Sequence, residues 1–339
     1  LQRAAEKALK GRRGAFVAVD PNTGAVLCMA SSPSFDPNLF ARRIRPEEWL
    51  EIIRNPAHPL QNRAIGAAAP PGSAFKIVTA AAGLYFGAIT PYTKIHCPGG
   101  CYVGRRFFRC WRRHGTVDLV RAIKESCDTY FYQVALRVGP ERLAEMARMF
   151  GLGGRTGVDI PGEVRGLVPD PEWKERALGE PWFGGETANF GIGQGFLKVT
   201  PLQMALVAAA IANGGKVLRP FVVSRIVDDR GRTVYEAEPE VVRRLPLAPW
   251  MIEVIRTGMV KVCNEPGGTA YRSMSILKPP AAGKTGSAEV PPYPKTHSWF
   301  IAFAPAGSPK IASCCFVEFG GHGSEAAAPI TAEVYKALY

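Results

Sequence analysis

The stretch AAGKTGSAEV (residues 281–290) is followed by HSWFIAFAP (297–305) and KIASCCFVEFG (310–320), and these three runs decide the fold. Each run is rich in aromatic, β-branched or small apolar residues, and turn residues separate them. This pattern predicts three consecutive strands. Neighbouring side chains of a strand point to opposite faces, so we interpret the adjacent Cys314 and Cys315 as small apolar fillers of two different layers.

The other end of the chain carries a matching set of elements. GAFVAVDPNTGAVLCMASSP (14–33) contains two β-rich runs around a Pro-Asn-Thr-Gly turn, which predicts a hairpin. Helical patterns occur at both chain ends (1–11 and 328–339) and dominate from about 117 to 150 and from 201 to 213. We therefore expect an α/β (α+β) fold whose antiparallel sheet is assembled from both chain ends, with a mostly helical insertion.

Composition narrows the possible classes of protein. The chain has 339 residues, of which 47% are apolar and 21% charged, as expected for a folded globular protein. The formal net charge of +13 favours an anionic partner, although a solvated basic surface explains it as well. No pattern typical of nucleic-acid binding is present. No apolar run reaches the roughly 20 residues that span a bilayer. Because the chain starts at Leu1 without a signal peptide, we expect a fragment or processed form that lacks its anchor.

Two serines stand beside residues that can activate them. In PPGSAFK (70–76), Ser73 opens a helix and Lys76 follows three residues later, on the same helix face. A hydroxyl is a weak nucleophile unless a neighbouring base takes its proton, and a lysine with a lowered pKa is such a base. Ser126 and Asp128 precede a second apolar helix. Taken alone, the two serines and Asp128 are better explained as helix caps and Lys76 as a surface residue.

A third candidate motif, Lys284-Thr285-Gly286, lies in the first predicted C-terminal strand. It is not a phosphate-binding loop, because that loop needs a glycine at position 278, where Lys278 stands, and a helix after it. On an edge strand, Lys-Thr-Gly is able to bind a substrate carboxylate and to pair with an extended peptide. An ordinary strand entry is the simple alternative.

Together the three motifs resemble a known family. Ser-x-x-Lys, Ser-x-[Asp/Asn] and Lys-Thr-Gly, in this order, mark serine enzymes that attack β-lactams and D-Ala-D-Ala peptides. The surrounding segments NRAIGAAAPPGSAFKIVTA, ESCDTYFYQVA, NFGIGQGFLKVTPLQMA and AGKTGSAE closely resemble penicillin-binding proteins, over nearly the whole chain. Asp128 followed by TYFYQVA is similar to the elongation-type class B branch. The departures are Ala74 and Ser287, where threonine is usual.

The resemblance implies the fold shared by penicillin-binding proteins and serine β-lactamases. In that fold an antiparallel five-stranded sheet is flanked by helices and joined to a mostly helical subdomain. Residues 1–339 are then one transpeptidase domain, with an α/β subdomain at about 1–65 and 265–339 and a helical subdomain at about 66–264. A metal-binding excursion is expected at 97–127. The anchor and pedestal of such a protein are expected to be absent from this chain.

The resemblance also implies a peptidoglycan D,D-transpeptidase. In that reaction Ser73 attacks the penultimate D-Ala carbonyl, Lys76 takes its proton, and Ser126 relays a proton to the leaving D-Ala beside Lys284. Asp128 hydrogen-bonds Lys76 or the substrate amide. The oxyanion hole is formed by the N–H groups of Ser73 and Ser287. The terminal carboxylate is held by Lys284, Thr285, Gly286 and Ser287. Four further residues are expected near the cleft, and for each of them we prefer a packing role over a direct role in the chemistry: Gly193, Gln194, Gly195 and Trp299.

Partners and rival functions follow from the same resemblance. The implied partners are peptidoglycan stem peptides, β-lactam antibiotics, a membrane-embedded glycan polymerase and scaffold proteins of the elongation complex, at the periplasmic face of the inner membrane. Nucleic acid is not among them. A β-lactam sensor domain is one alternative, but sensors lack Ser-x-Asp and the NFGIGQG block. A β-lactamase is another, but it needs a Glu-x-x-Leu-Asn element, and GETANFG contains Glu186 without that pattern.

Four of the chain's eight cysteines fall between residues 97 and 127. The four candidate metal ligands, with the spacing C-x12-C-x3-H-x12-C, are Cys97, Cys110, His114 and Cys127. Cys101 is the alternative to Cys97 as the first ligand. The x3 step suits one helical turn. Disulfides, unrelated buried thiols and a structural zinc site are all consistent with this pattern. Elongation-type relatives often carry Asp where Cys97 and Cys110 stand. Because Asp is able to ligate a metal but cannot form a disulfide, the resemblance favours zinc. The acyl transfer itself needs no cofactor.

Overall fold

The centre of the molecule, a computed structural model that describes residues 1–338, is a five-stranded antiparallel sheet. The strands are β1 Gly14–Val19, β2 Val26–Ser32, β3 Ile95–Cys97, β4 Gly100–Val103, β5 Arg106–Arg109, β6 Gly115–Val117, β7 Lys216–Leu218, β8 Arg225–Val227, β9 Thr233–Glu236, β10 Val241–Arg244, β11 Ala282–Val290, β12 Tyr293–Ala304 and β13 Ile311–Val317.

Helices surround this sheet and fill the middle of the chain. They are α1 Gln2–Leu9, α2 Pro46–Arg54, α3 Arg63–Gly66, α4 Lys76–Tyr85, α5 Leu119–Glu125, α6 Asp128–Val138, α7 Pro140–Met149, α8 Pro171–Leu178, α9 Gly184–Gly191, α10 Pro201–Ala212, α11 Pro249–Asn264, α12 Tyr271–Met274 and α13 Ala327–Lys336. Short 3-10 helices span Pro37–Ala41 and Gly72–Phe75. In the described part of the chain, no helix is both long and apolar enough to cross a membrane.

The sheet joins the two ends of the chain, as the sequence predicts. Its strand order is β11-β12-β13-β1-β2, and β13 pairs with β1 so that Gly14 lies opposite Val317 and Val19 opposite Ala312. The predicted fold class is confirmed. This order leaves β11, which carries Lys-Thr-Gly, at one edge of the sheet. The subdomain boundaries near residues 65 and 265 stay a prediction.

Apolar side chains on both faces explain why the sheet is covered on both sides. β1 and β13 are buried at every position. The hydroxyls of Ser313 and Tyr335 lie 2.8 Å apart, which places α13 on one face, while α10 packs against β1 and β13 on the other. All twelve residues of α10 are buried, as expected for a helix that is apolar on every side. Cys314 and Cys315 are fully buried fillers, as predicted.

The stretch from residue 36 to 72, which looks irregular in sequence, contains more helix than its composition suggests. α2 begins with Pro46 at its first turn, and Glu48 accepts a hydrogen bond from the backbone N–H of Arg45 at 3.0 Å. The content of Pro, Asn and Arg suggests a loop and gives no sign of this local capping. α2 buries none of its own residues.

Candidate active site

Ser73 lies on a 3-10 turn that runs directly into α4, which begins at Lys76. The turn starts with Gly72 at a φ of +54°, and the Gly72 N–H donates to the Gly193 carbonyl at 2.9 Å. A Cβ on Gly193 would lie 2.2 Å from the Gly72 carbonyl oxygen. Gly193 in GIGQG therefore supports the serine turn from behind. This contact agrees with the packing role preferred for that residue.

The serine turn also touches the edge strand β11. A Cβ on Gly72 would lie 2.3 Å from the carbonyl oxygen of Ser287 and 3.0 Å from its nitrogen. A Cβ on Gly286 would lie 2.4 Å from the Pro71 carbonyl oxygen and 3.0 Å from the Ala74 nitrogen. The two backbones approach this closely because both sides present glycine. The first and third motifs are thereby brought together, with the turn that carries Ser73 lying against Gly286 and Ser287.

Lys76 is fully buried and donates to three oxygen atoms of the second motif. Its Nζ lies 2.7 Å from Asp128 Oδ1, 2.9 Å from the Ser126 carbonyl and 3.2 Å from Ser126 Oγ. The same nitrogen sits 5.5 Å from the centre of the Phe131 ring. Burial raises the pKa of Asp128, and the neighbouring Lys76 opposes that effect. These contacts hold the base candidate beside Ser126.

Ser126 ends α5 in the left-handed conformation, with φ of 55° and ψ of 46°. The sequence offers Ser126 as a helix cap at the start of α6, but the cap there is Cys127, and Ser126 closes the preceding helix. A non-glycine residue in this conformation is strained, and such strain collects at functional sites. The left-handed turn directs the Ser126 hydroxyl toward the two lysines and lets Cys127 point away.

Lys284 approaches the same hydroxyl from β11. Its Nζ donates to Ser126 Oγ at 2.8 Å and to the Thr285 carbonyl at 3.0 Å, and the side chain is fully buried. Burial, together with the charge of Lys76, holds the pKa of Lys284 well below that of an ordinary lysine. A lysine with a lowered pKa accepts and returns protons readily near neutral pH.

The other side of β11 carries the two hydroxyls expected to hold a carboxylate. Thr285 Oγ1 lies 2.7 Å from Thr269 Oγ1. Ser287 Oγ accepts from the Gly323 N–H at 3.1 Å and lies 3.4 Å from His322 Nδ1. Because Gly323 donates to the oxygen of Ser287, the Ser287 hydroxyl has its proton left to donate, either to His322 Nδ1 or to a ligand. Thr269, His322 and Gly323 were not found from the sequence, since nothing in their local pattern relates them to the motif.

Trp111 is a further residue that the motifs did not reveal. Its backbone N–H donates to Asp128 Oδ2 at 3.3 Å, and its indole N–H donates to the carbonyls of Ser126 and Glu125, each at 3.2 Å. The residue follows Cys110 directly, and its place inside the cysteine-rich excursion was the one available signal. Trp111 connects that excursion to the second motif.

The four predicted metal ligands converge. The ligand atoms of Cys97, Cys110, His114 and Cys127 all lie within 4.8 Å of one another. His114 Nδ1 lies 3.5 Å from Cys97 Sγ and 3.4 Å from Cys110 Sγ. A hydrogen bond from Cys127 lowers the pKa of the Cys110 thiol. All eight cysteines are free thiols, so the disulfide alternative finds no pair here.

Two details of the cluster differ from the expectations. Residues 111 and 112 form a bend and their neighbours are irregular, so the helical turn expected between Cys110 and His114 is wrong. The ligands meet because the His114 N–H donates to the Cys97 carbonyl at 3.2 Å and folds the chain back along β3 and β6. Cys101 is not part of the four-atom group, because it lies in β4 with its side chain packed beside Phe108.

Comparisons with known proteins agree with this geometry. The family model of the penicillin binding protein transpeptidase domain matches residues 14–336. The peptidoglycan D,D-transpeptidase MrdA of Acinetobacter baumannii is 38% identical over 354 residues, covering 96% of this chain and 51% of the relative. The chain spans about half the length of the curated relatives it matches.

Solved structures show the same similarity. PBP2 of Pseudomonas aeruginosa in complex with WCK 5153 has a TM-score of 0.92 and 38% identity, covering 99% of this chain and 76% of that chain. PBP2 of Helicobacter pylori in a complex with MreC has a TM-score of 0.89 and 33% identity, covering 99% and 62%.

Proposed function

Because this chain belongs to the penicillin-binding protein transpeptidase family, we propose that it is the catalytic domain of an elongation-type peptidoglycan D,D-transpeptidase. The observation that carries this proposal is the Ser126 hydroxyl, which joins the buried Lys76 and Lys284 next to the Ser73 turn. Such a group transfers protons between a nucleophile and a leaving amine, as acyl transfer at D-Ala-D-Ala requires.

The proposed first half-reaction forms an ester on Ser73. Ser73 Oγ attacks the carbonyl carbon of the penultimate D-Ala while its proton passes to Lys76. The N–H groups of Ser73 and Ser287 receive the developing oxyanion. The peptide C–N bond breaks, and the leaving D-Ala amine takes a proton through Ser126 from the lysine pair. Asp128 holds Lys76 in place.

The second half-reaction releases the ester and forms the cross-link. An amine of another stem peptide attacks the acyl carbon, gives up its proton through the same lysine pair, and restores the Ser73 hydroxyl. The donor carboxylate is bound by Lys284 and by the hydroxyls of Thr285 and Ser287, while Gly286 lets the strand approach the Ser73 turn closely. A β-lactam follows only the first half-reaction and leaves Ser73 acylated.

Intact-mass measurement with penicillin tests the nucleophile. The wild-type chain is expected to gain one stable penicillin adduct and Ser73→Ala none, while Ser275→Ala, a serine at the end of α12, reacts like the wild type. Transfer of a labelled amine onto a pentapeptide substrate then separates the rival functions. An adduct without amine transfer indicates a β-lactam sensor, and rapid loss of the adduct with hydrolysed penicillin indicates a β-lactamase. Either result contradicts the transpeptidase.

We also propose that the cysteine cluster holds a structural zinc ion. Usual Zn–S and Zn–N bond lengths put sulfur and nitrogen of a tetrahedral site about 3.6 Å apart. The spacings of 3.5 and 3.4 Å from His114 to Cys97 and Cys110 fit that value. His114 Nε2 lies 3.2 Å from the Glu125 carbonyl, which selects the tautomer that leaves Nδ1 free for a metal. Zinc would stiffen the excursion behind Ser126 and would take no part in the acyl transfer.

Metal analysis of protein purified without added zinc tests this site. We expect close to one equivalent of zinc per chain and its loss in Cys127→Ser. Less than about 0.1 equivalent in the wild type would overturn the proposal.

The partners of the full-length protein are proposed from its relatives. One solved structure with 33% identity is a complex of PBP2 with MreC, which supports a scaffold partner of that kind. We propose an extracytoplasmic location at the inner membrane, together with a glycan polymerase that supplies the strands to be cross-linked. Co-purification of the full-length protein from membranes tests both. A protein recovered without any membrane polymerase or scaffold would contradict them.

A further inference from the structure

The hairpin that precedes Trp111 carries an unusual surface. Residues 100–113 (GCYVGRRFFRCWRR) contain five arginines and no acidic residue. We name this segment, which comprises β4, β5 and the four residues after them, the arginine hairpin. Cys97 and His114 flank the arginine hairpin on either side, and Cys110 lies within it.

One face of the arginine hairpin is an anchor. Phe108 is buried and meets Tyr132 edge-on at 5.5 Å, and the Tyr132 hydroxyl donates to the Arg109 carbonyl at 3.1 Å. Cys101 and Val103 pack on the same small core. The hairpin therefore has a defined position on α6 and α9, so its outer face is presented in a fixed orientation.

The outer face is aromatic and cationic at once. Tyr102 pairs with Phe107 across the two strands, and their rings lie 5.1 Å apart, yet they are 73% and 44% exposed. Arg105 in the turn and Arg109 at the end of β5 flank this ring pair. Exposed aromatic pairs contribute little to folding, since their area stays in water, and they are typical of binding surfaces.

The charge of this face is uncompensated. Arg112 forms an ion pair with Glu125 at 2.7 Å. Within residues 1–338, Arg105, Arg109 and Arg113 have no carboxylate within ion-pair distance. Arg106 has none either, but its guanidinium lies 5.4 Å over the Phe108 ring on the anchored face. Guanidinium groups bind carboxylates in a two-pronged geometry, and aromatic rings stack on flat or ring-shaped ligands. The chemistry of the face is complementary to a polymer that carries carboxylates and sugar rings.

The position of the hairpin selects one such polymer. Trp111, two residues after the end of β5, joins the hairpin to the cleft, because its N–H groups donate to Asp128 and to the Ser126 carbonyl. A ligand on the hairpin thus lies next to the residues that act on the stem peptide. We propose that the arginine hairpin binds the peptidoglycan strand itself, with stem-peptide carboxylates on the arginines and the glycan on Tyr102 and Phe107. This inference rests on the proposed function and adds where the polymer lies.

Binding of fluorescent, uncross-linked glycan strands bearing pentapeptides tests the proposal. The double variant Arg105→Glu/Arg109→Glu is expected to bind strands at least about tenfold more weakly, since two charge-assisted contacts become repulsive. The matched control is Arg225→Glu/Arg230→Glu, which makes the same charge change on the exposed β8–β9 hairpin and should bind like the wild type. Equal loss in both variants, or retained binding in the first, overturns the proposal.

Two further measurements keep the test independent of folding and of the proposed function. Wild-type protein should bind strands with amidated carboxylates at least about tenfold more weakly than native strands, with no substitution involved. Penicillin acylation of Ser73, which needs no polymer, should be the same in both double variants. If neither the wild type nor the variants are acylated, the proposed function fails. If all are acylated but strand binding does not depend on the hairpin, only the inference about the hairpin fails. Binding to phosphatidylglycerol vesicles that depends on Arg105 and Arg109, without strand binding, overturns the proposal in favour of a membrane surface.

Discussion

Ser126→Ala removes the hydroxyl that joins the two buried lysines of the cleft. Lys284 Nζ loses its 2.8 Å contact and retains the Thr285 carbonyl, while Lys76 Nζ retains the Ser126 carbonyl and Asp128. A positioned proton-transfer group contributes about 10²–10⁴-fold to a rate, which is about 2.7–5.4 kcal/mol of activation free energy. We expect acylation by penicillin to slow by a factor in that range.

Ser126→Gly separates the lost hydroxyl from the strained backbone. Both variants lack the relay, so both should acylate equally slowly. Ser126 has a φ of 55°, where alanine is strained by roughly 1 kcal/mol and glycine is not. The glycine variant should therefore be more resistant to unfolding than the alanine variant by about 1 kcal/mol.

Stopped-flow acylation with a fluorescent penicillin measures the first effect, and urea unfolding of the unacylated proteins measures the second. Acylation of Ser126→Ala within about threefold of the wild type would refute the relay. Equal stability of the two variants would refute the left-handed strain. A variant that is slow only because it is unfolded is recognised by its urea transition.

Three further predictions concern the support of the cleft. Cys127→Ser should lower both the zinc content and the melting temperature and slow acylation, while thiol reagents leave the zinc-bound wild type active; unchanged melting would contradict the structural role. Gly193→Ala should destabilise the fold by at least about 2 kcal/mol in urea, because its Cβ would lie 2.2 Å from the Gly72 carbonyl at a φ of +74°. Lys284→Met should abolish acylation yet raise the melting temperature at pH 7, because burial holds the Lys284 pKa below its unfolded value and unfolding then takes up a proton. The wild type gains stability as the pH rises toward about 10, so the higher melting temperature of Lys284→Met must approach that of the wild type there. A difference in melting temperature that stays constant with pH would contradict this explanation.

The sheet was predictable because its signals are local. The alternation of AAGKTGSAEV and the Pro-Asn-Thr-Gly turn of the N-terminal hairpin require only neighbouring residues. The same holds for Ser73 and Lys76, whose spacing of three is set by a single helical turn. The capped helix α2 was missed, since its start depends on the side chain of Glu48 reaching back to the backbone.

The arrangement of the cleft required distances that no local pattern contains. Lys284 reaches Ser126 across 158 positions of the chain, and Gly193 meets Gly72 only because the sheet and helices bring them together. Trp111 follows Cys110 in the chain, but its bonds to Asp128 and Ser126 depend on how the excursion folds over α6.

The amino-acid sequence by itself determined the fold class, the three motifs and the set of residues able to ligate a metal, because residue type and spacing carry that information. The tertiary structure decided which of them meet. It brought Cys97 rather than Cys101 next to Cys110, His114 and Cys127, put Ser126 in a left-handed turn between two lysines, and joined Trp111 of the arginine hairpin to Asp128 and Ser126. These outcomes depend on packing between distant segments, where the burial of apolar surface sets positions that short-range preferences leave open.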